Sequence, residues 1–195
     1  QRVIERTDAL NRSQVILNRA QGIAHLGSWT WDIEGGALDW SDEIYRVFGY
    51  DPQQFEPTYQ TFVETIHSED RDAVTRAVND SLENPDIPYN IEHRIVLPDG
   101  EIRYVHELGE IERDELDKPL HMIGIVHDIT DMKKAQESLN RAMHELSTSE
   151  RVLRLALSAA GAGYFSFNTQ TGQLDWDERS LEIFGLRVSD FNGQF

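Results

Sequence analysis

Apolar and polar residues alternate at the start of the first folded stretch: Trp29, Trp31 and Ile33 are separated by Thr30 and Asp32, which predicts a half-buried strand. Gly35-Gly36 supplies a hairpin turn and residues 37–40 return as a second strand. Ser41 is expected to cap a short helix with Asp42 and Glu43 in its first turn, against the positive end of the helix dipole, and Gly49 ends it. Pro52 and Pro57 lead into a segment over residues 59–66. Ser68 is expected to cap a helix over residues 69–83, in which Val74, Ala77, Val78 and Leu82 share one face, closed by Pro85 and Pro88. Three strands follow, over residues 89–97, 101–113 and 119–129, with tight turns at Pro98-Asp99-Gly100 and residues 114–118. Two strands, several helices and three strands predict an α+β fold, a five-stranded antiparallel sheet with helices on one face.

The chain repeats itself. Shifted by 136 positions (Trp176 minus Trp40), residues 27–49 align without a gap on residues 163–185. Gly27, Gly36, Leu38, Asp39, Trp40, Phe48 and Gly49 recur as Gly163, Gly172, Leu174, Asp175, Trp176, Phe184 and Gly185, while Trp29 and Trp31 become Phe165 and Phe167. The same offset pairs Val3, Leu10 and Leu17 with Leu139, Leu146 and Leu153, so a helix with the same apolar seam precedes each copy. Met132, Leu139, Leu146 and Leu153 recur every seven residues, with Ala135, Ala142, Ser149 and Ala156 three further on, the a/d pattern of a coiled coil. Thr130 is the expected N-cap of this helix, with Asp131 in its first turn. The expected organisation is a linker helix over 1–21, a complete domain over 22–130, a coiled-coil-like connector over 131–156 and the truncated opening of a second domain over 157–195. The first residue falls inside a helical pattern and the last just past a helix-like segment, so both ends are expected to be cuts in a longer protein.

Composition narrows the partners. Thirty-five Asp and Glu against 18 Lys and Arg give a formal charge of −17, which repels phosphate backbones and anionic lipid, so neither nucleic acid nor membrane contact is expected. No run of apolar residues is long enough for a membrane span, and no cysteine is present for a disulfide or a thiolate, so a cytoplasmic setting is expected.

The segment from Ala24 to Pro52, the Ile66-His67-Ser68-Glu69-Asp70 turn, the strand pair carrying Pro98-Asp99-Gly100, and Asp128-Ile129-Thr130 running into a charged helix resemble the PAS family as found in bacterial sensor histidine kinases and diguanylate cyclases. The resemblance covers about residues 20–130 in full and residues 156–195 as the start of another copy. It implies a sheet and helical cover able to enclose a small ligand, signal output through flanking helices in a dimer, and a relay at Asp128, Ile129 and Thr130. It implies no particular ligand.

Trp29, Trp31, His93, Tyr104 and Met122 are the candidate pocket residues, and a stacked redox flavin is the cofactor they leave open; filling of the core with no cofactor is the favoured reading. Alternation does not settle whether His93 or Arg94 points inward. Haem is disfavoured, because the helix over residues 70–82 has no histidine to ligate it and His67 precedes it in a turn. A cysteine-adduct photochemistry is excluded. No catalytic or metal-binding motif emerges: His106-Glu107 meets Glu110 where a zinc-protease motif needs histidine, and His144-Glu145 only faintly resembles a phosphoacceptor box. The expectation is a non-catalytic sensory and relay module, homodimeric through Met132, Leu139, Leu146 and Leu153, covalently linked to an output domain elsewhere and open to a small-molecule ligand. The alternative is a ligand-free dimerisation and spacer module.

Overall fold

The computed structural model describes residue 12 and residues 15–187. Val3 and Leu10 of the N-terminal seam lie outside the described residues. The chain divides between Lys134 and Ala135 into two compact units.

In the first unit, helix α1 (residues 15–24) leads into strand β1 (Leu26–Asp32), β2 (Leu38–Trp40), helices α2 (Asp42–Val47), α3 (Tyr59–Thr65) and α4 (Arg71–Glu83), and strands β3 (Tyr89–Val96), β4 (Ile102–Arg113) and β5 (Pro119–Asp128). The five strands form one antiparallel sheet in the order β2-β1-β5-β4-β3, so the first hairpin pairs with the last strand. Ile44, Val47 and Phe48 from around α2, Phe62 and Ile66 from around α3 and Val74 of α4 pack on Ile95, Val105 and Val126 of the sheet, and this cluster is the core. The helices therefore cover one face. On the other, Leu108, Ile123 and Ile125 remain partly open to solvent.

Two glycines permit close packing. A Cβ on Gly27 would lie 2.2 Å from the Ile44 side chain, so α2 can lie against β1 only because the side chain is missing. Gly49 leaves α2 with φ +82°, a conformation that costs glycine little.

Three expected caps are corrected. Ser41 stands at the N-cap of α2 but makes no capping bond; its Oγ accepts the N–H of Ser28, tying helix to strand. Asp70, not Ser68, precedes α4, and its carboxylate is taken by Arg94 of β3. Thr130 is the first helical residue of α5 (Thr130–Ala159) rather than its cap, because the Asp128 carboxylate accepts the Thr130 N–H at 2.9 Å. Small polar side chains near a helix start have several backbone partners within reach, and tertiary contacts chose among them. The segment over residues 59–66 forms helix α3 through Thr65, with a reciprocal cap between Thr58 and Thr61 and Ile66 extended after it.

The second unit contains α5 beyond Lys134, strands β6 (Phe165–Phe167) and β7 (Leu174–Trp176), and helix α6 (Glu178–Ile183). No helix among the described residues is long and apolar enough to cross a membrane.

Candidate functional site

The inner face of the first unit's sheet carries a small aromatic chamber, and glycines make its floor. Trp29 of β1 lies opposite Gly124 of β5, which in turn lies opposite Gly109 of β4. A Cβ on Gly124 would sit 2.4 Å from Cζ2 of Trp29 and 2.4 Å from the Leu108 carbonyl oxygen; one on Gly109 would lie 3.0 Å from Cη2 of Trp29. The indole fills the space two side chains would have taken. Trp31 stacks on Tyr59 of α3 with centroids 5.0 Å apart, and Trp29 meets Tyr89 of β3 edge-on at 6.1 Å. Between these rings, Trp40, Phe62 and Met122 remains a cavity of about 30 Å³, room for one or two water-sized groups.

One charged side chain reaches it. Glu107 of β4 falls on the inward parity of Val105 and Gly109 and is only 3% exposed. Its Oε2 accepts the Tyr89 hydroxyl at 2.7 Å. Its Oε1 lies 3.5 Å from Nε2 of His93, itself 4% exposed and without a hydrogen bond at that nitrogen. Burial lowers the His93 pKa, the carboxylate of Glu107 raises it, and the net direction is upward. Burial, reinforced by the same carboxylate, holds the Tyr89 phenol well above its ordinary value. Trp29 and Trp31 also bury indole N–H groups that find no acceptor, each a cost of about 1–3 kcal/mol.

Of the pocket residues read from the sequence, the structure brings Trp29, Trp31 and Met122 to the cavity wall and sets His93 against Glu107. Tyr104 is a correction: it points to the opposite face of β4, where its backbone meets the start of α5. His93 turns inward while Arg94 turns outward, its guanidinium on Asp70 at 2.7 and 2.9 Å and Glu69 at 2.9 Å. Glu107, Tyr89 and Tyr59 were not anticipated. The parity of Glu107 between Val105 and Gly109 was the readable signal. A flavin does not fit this chamber, whose rings leave far less space than a tricyclic ring system requires. His67 is engaged in the turn before α4, where its Nδ1 accepts the Glu69 N–H, and does not line the cavity.

A second constellation joins sheet to helix. Asp128 ends β5; its Oδ1 accepts both the N–H and the hydroxyl of Thr130. The Thr130 Oγ1 accepts the Tyr104 N–H at 3.0 Å, and the Ile129 N–H donates to the Tyr104 carbonyl at 2.9 Å. Ile129 is buried. Arg103 donates to the Arg46 and Val47 carbonyls at the end of α2 and lies 3.8 Å from the other Asp128 oxygen. β4, β5, α2 and α5 thus converge on three consecutive residues. Beyond them Met132, Leu139, Leu146 and Leu153 are 56–61% exposed, an apolar stripe open to solvent.

A model of the PAS fold matches residues 37–126. Over 137 residues, 70% of the chain, it is 31% identical to a blue-light-activated histidine kinase of Brucella ovis, of which it spans 27%. It is 28% identical over 148 residues to the Probable diguanylate cyclase DgcE of Escherichia coli K12, of which it spans 12%. Among solved structures, a sensory box histidine kinase/response regulator from Burkholderia thailandensis superposes with a TM-score of 0.57 at 26% identity, covering 68% of this chain and 98% of that one. The N-terminal domain of a diguanylate cyclase with PAS/PAC sensor from Marinobacter aquaeolei shares the fold at 17% identity and a TM-score of 0.50, covering 55% of this chain and 98% of that one.

Proposed function

Because this chain belongs to the PAS fold family, with a sensory domain homologous to those of histidine kinases and diguanylate cyclases, we propose that it is the non-catalytic input and relay segment of a larger bacterial signalling protein. In this reading it homodimerises through α5 in the cytoplasm. Its output domain, a histidine kinase or a diguanylate cyclase, is covalently attached elsewhere in that protein.

The observation that carries the reading is the junction at Asp128, Ile129 and Thr130. A rearrangement of β4 or β5 inside the domain must disturb the bonds of Tyr104 to Thr130 and Ile129, and these hold the first turn of α5. An exposed stripe with leucine at most a positions and small residues at d allows close but weakly stabilised helix pairing. Two such arrangements close in energy would respond to a modest bias. The connector also suits self-association electrically. Residues 130–159 carry Lys133, Lys134, Arg141, Arg151 and Arg154 against Asp131, Glu137, Glu145 and Glu150, close to neutral in a chain of charge −17.

Light scattering tests the dimer: the wild-type chain is expected to be dimeric at high micromolar concentration, and Leu139→Asp with Leu146→Asp to be monomeric. A dimer that survives both substitutions rules out this seam. The nearly filled chamber favours a second reading, a ligand-free spacer that sets the phase of helical segments. Mass spectrometry of protein purified without added ligand separates the two, a stoichiometric small molecule supporting input and its absence supporting the spacer. The Brucella relative is named for blue light; with no cysteine here, a thiol adduct cannot be the input.

A further inference from the structure

The chamber pairs a buried carboxylate with a wall of aromatic rings and no basic side chain other than His93 behind it. Six rings line the space, from Trp29, Trp31, Trp40, Tyr59, Phe62 and Tyr89, and Glu107 is the only ionisable carboxylate among the lining residues. Aromatic faces attract cations through their quadrupole, and the attraction strengthens where water is excluded. A carboxylate at 3% exposure has lost most of its hydration and is held by one neutral hydroxyl at Oε2. Its Oε1 lies 3.5 Å from His93 Nε2, a long contact whose attraction, against the effect of burial, raises the His93 pKa. The Cε2 edge of Trp29, next to its N–H, rests on the Gly124 floor, since a Cβ there would lie 2.7 Å away. That donor therefore does not claim Glu107.

We propose that the chamber binds a small ammonium cation, of ammonium or methylammonium size, whose N–H groups donate to the Glu107 carboxylate while its charge lies among the tryptophan and tyrosine rings. The inference rests on the reading of this domain as an input module and names the chemical class of its ligand. Size follows from the cavity: about 30 Å³ admits one or two heavy atoms, so ammonium or methylammonium fits between the rings as they stand. The net charge of −17 raises the local concentration of any cation.

The test is a titration of the whole chain with methylammonium chloride, followed by tryptophan emission and by isothermal calorimetry at constant ionic strength, with potassium and tetramethylammonium chloride as controls. A saturable response to methylammonium is expected, about tenfold or more tighter than to either control, because only a small ammonium both fits and donates hydrogen bonds. Glu107→Gln keeps the shape and an acceptor for Tyr89 but removes the charge, and should weaken binding by about tenfold or more. Trp31→Leu, which leaves Glu107 in place, should weaken it by a smaller factor. No saturable signal or heat with the folded wild-type chain, equal response to potassium, or an unaltered titration in Glu107→Gln would overturn the proposal. Failure here leaves the relay untouched, because dimerisation through α5 is measured with no amine present.

Discussion

Residues 27–49 and 163–185 build the same elements at the same offset, yet one set is buried and the other is open. Shifting β2 and α2 by 136 positions lands on β7 and α6 residue for residue. Gly27 lies against Ile44 as Gly163 lies against Ser180, where a Cβ would come within 2.2 and 2.3 Å respectively. Even the strand-to-helix tie recurs: Ser28 N–H donates to Ser41 Oγ, and Tyr164 N–H donates to the Asp177 carboxylate. Burial is what differs. Val47 and Phe48 are each 2% exposed, while Ile183 and Phe184 are 54% and 67% exposed. In the first copy β5 pairs with the outer edge of β1 and α4 closes over the face; among the described residues of the second, β6 pairs only with β7. Hairpin, glycine contact and tie are thus locally encoded, whereas a core requires the distant strands.

The largest effect should come from filling the glycine floor that exists only where β5 is present. Gly124→Ala drives a methyl into a backbone carbonyl and the Trp29 ring, and should cost about 3 kcal/mol in urea unfolding. Gly27→Ala should cost about 2–3 kcal/mol because Ile44 must move. Its counterpart Gly163→Ala should leave the main transition within about 0.5 kcal/mol. A Gly163→Ala penalty as large as that of Gly27→Ala would show that the second copy is part of one cooperative core.

A smaller effect belongs to the tie between α4 and β3. The Arg94 guanidinium beside Asp70 lowers that carboxyl from 3.8 to about 2. Its folded pKa lies below its unfolded one, so the stabilisation is present above about pH 4 and is lost as pH falls towards 2. The full shift would correspond to about 2.5 kcal/mol; with Asp70 about one-fifth exposed, about 1–2 kcal/mol is expected after screening. Asp70→Asn should remove it at pH 7 and flatten the unfolding profile between pH 4 and 2, measured by urea denaturation at each pH.

The smallest effect lies in the second copy. The Ser180 side chain, followed by the N–H groups of Ser180 and Tyr164, holds the Asp177 carboxyl below its usual range, so this tie should weaken as acid protonates it. Asp177→Ala should speed hydrogen exchange over β6 and α6 and leave the first unit's exchange unchanged.

Much of this was legible in the sequence because it is local. Alternation at Trp29 and Trp31 marked β1, and the glycine-ended helix at Gly49 and the PAS-type order of elements followed from short-range signals. What escaped depends on tertiary choice. Both parities of β4 carry apolar residues, Val105 on one face and Leu108 on the other, so alternation does not show that Tyr104 faces outward. Alternation alone does not separate His93 from Arg94; the Asp70 carboxylate, from before α4, holds Arg94 outside. An isolated carboxylate on a strand ordinarily faces water; the Tyr89 hydroxyl, donated from a neighbouring strand, and His93 beside it make the burial of Glu107 tolerable.

In the proposed relay the domain biases a paired α5 through Asp128, Ile129 and Thr130. A chain without cysteine allows a single label, so His144→Cys, at the outward f position of the seam, can carry one nitroxide for electron–electron distance measurement between the two copies. One well-defined intermolecular distance is expected in the dimer, with a shifted or broadened distribution when Asp128→Ala frees Thr130. An unchanged distribution in a dimer carrying Asp128→Ala, or no intermolecular distance in the parent chain, would contradict this relay.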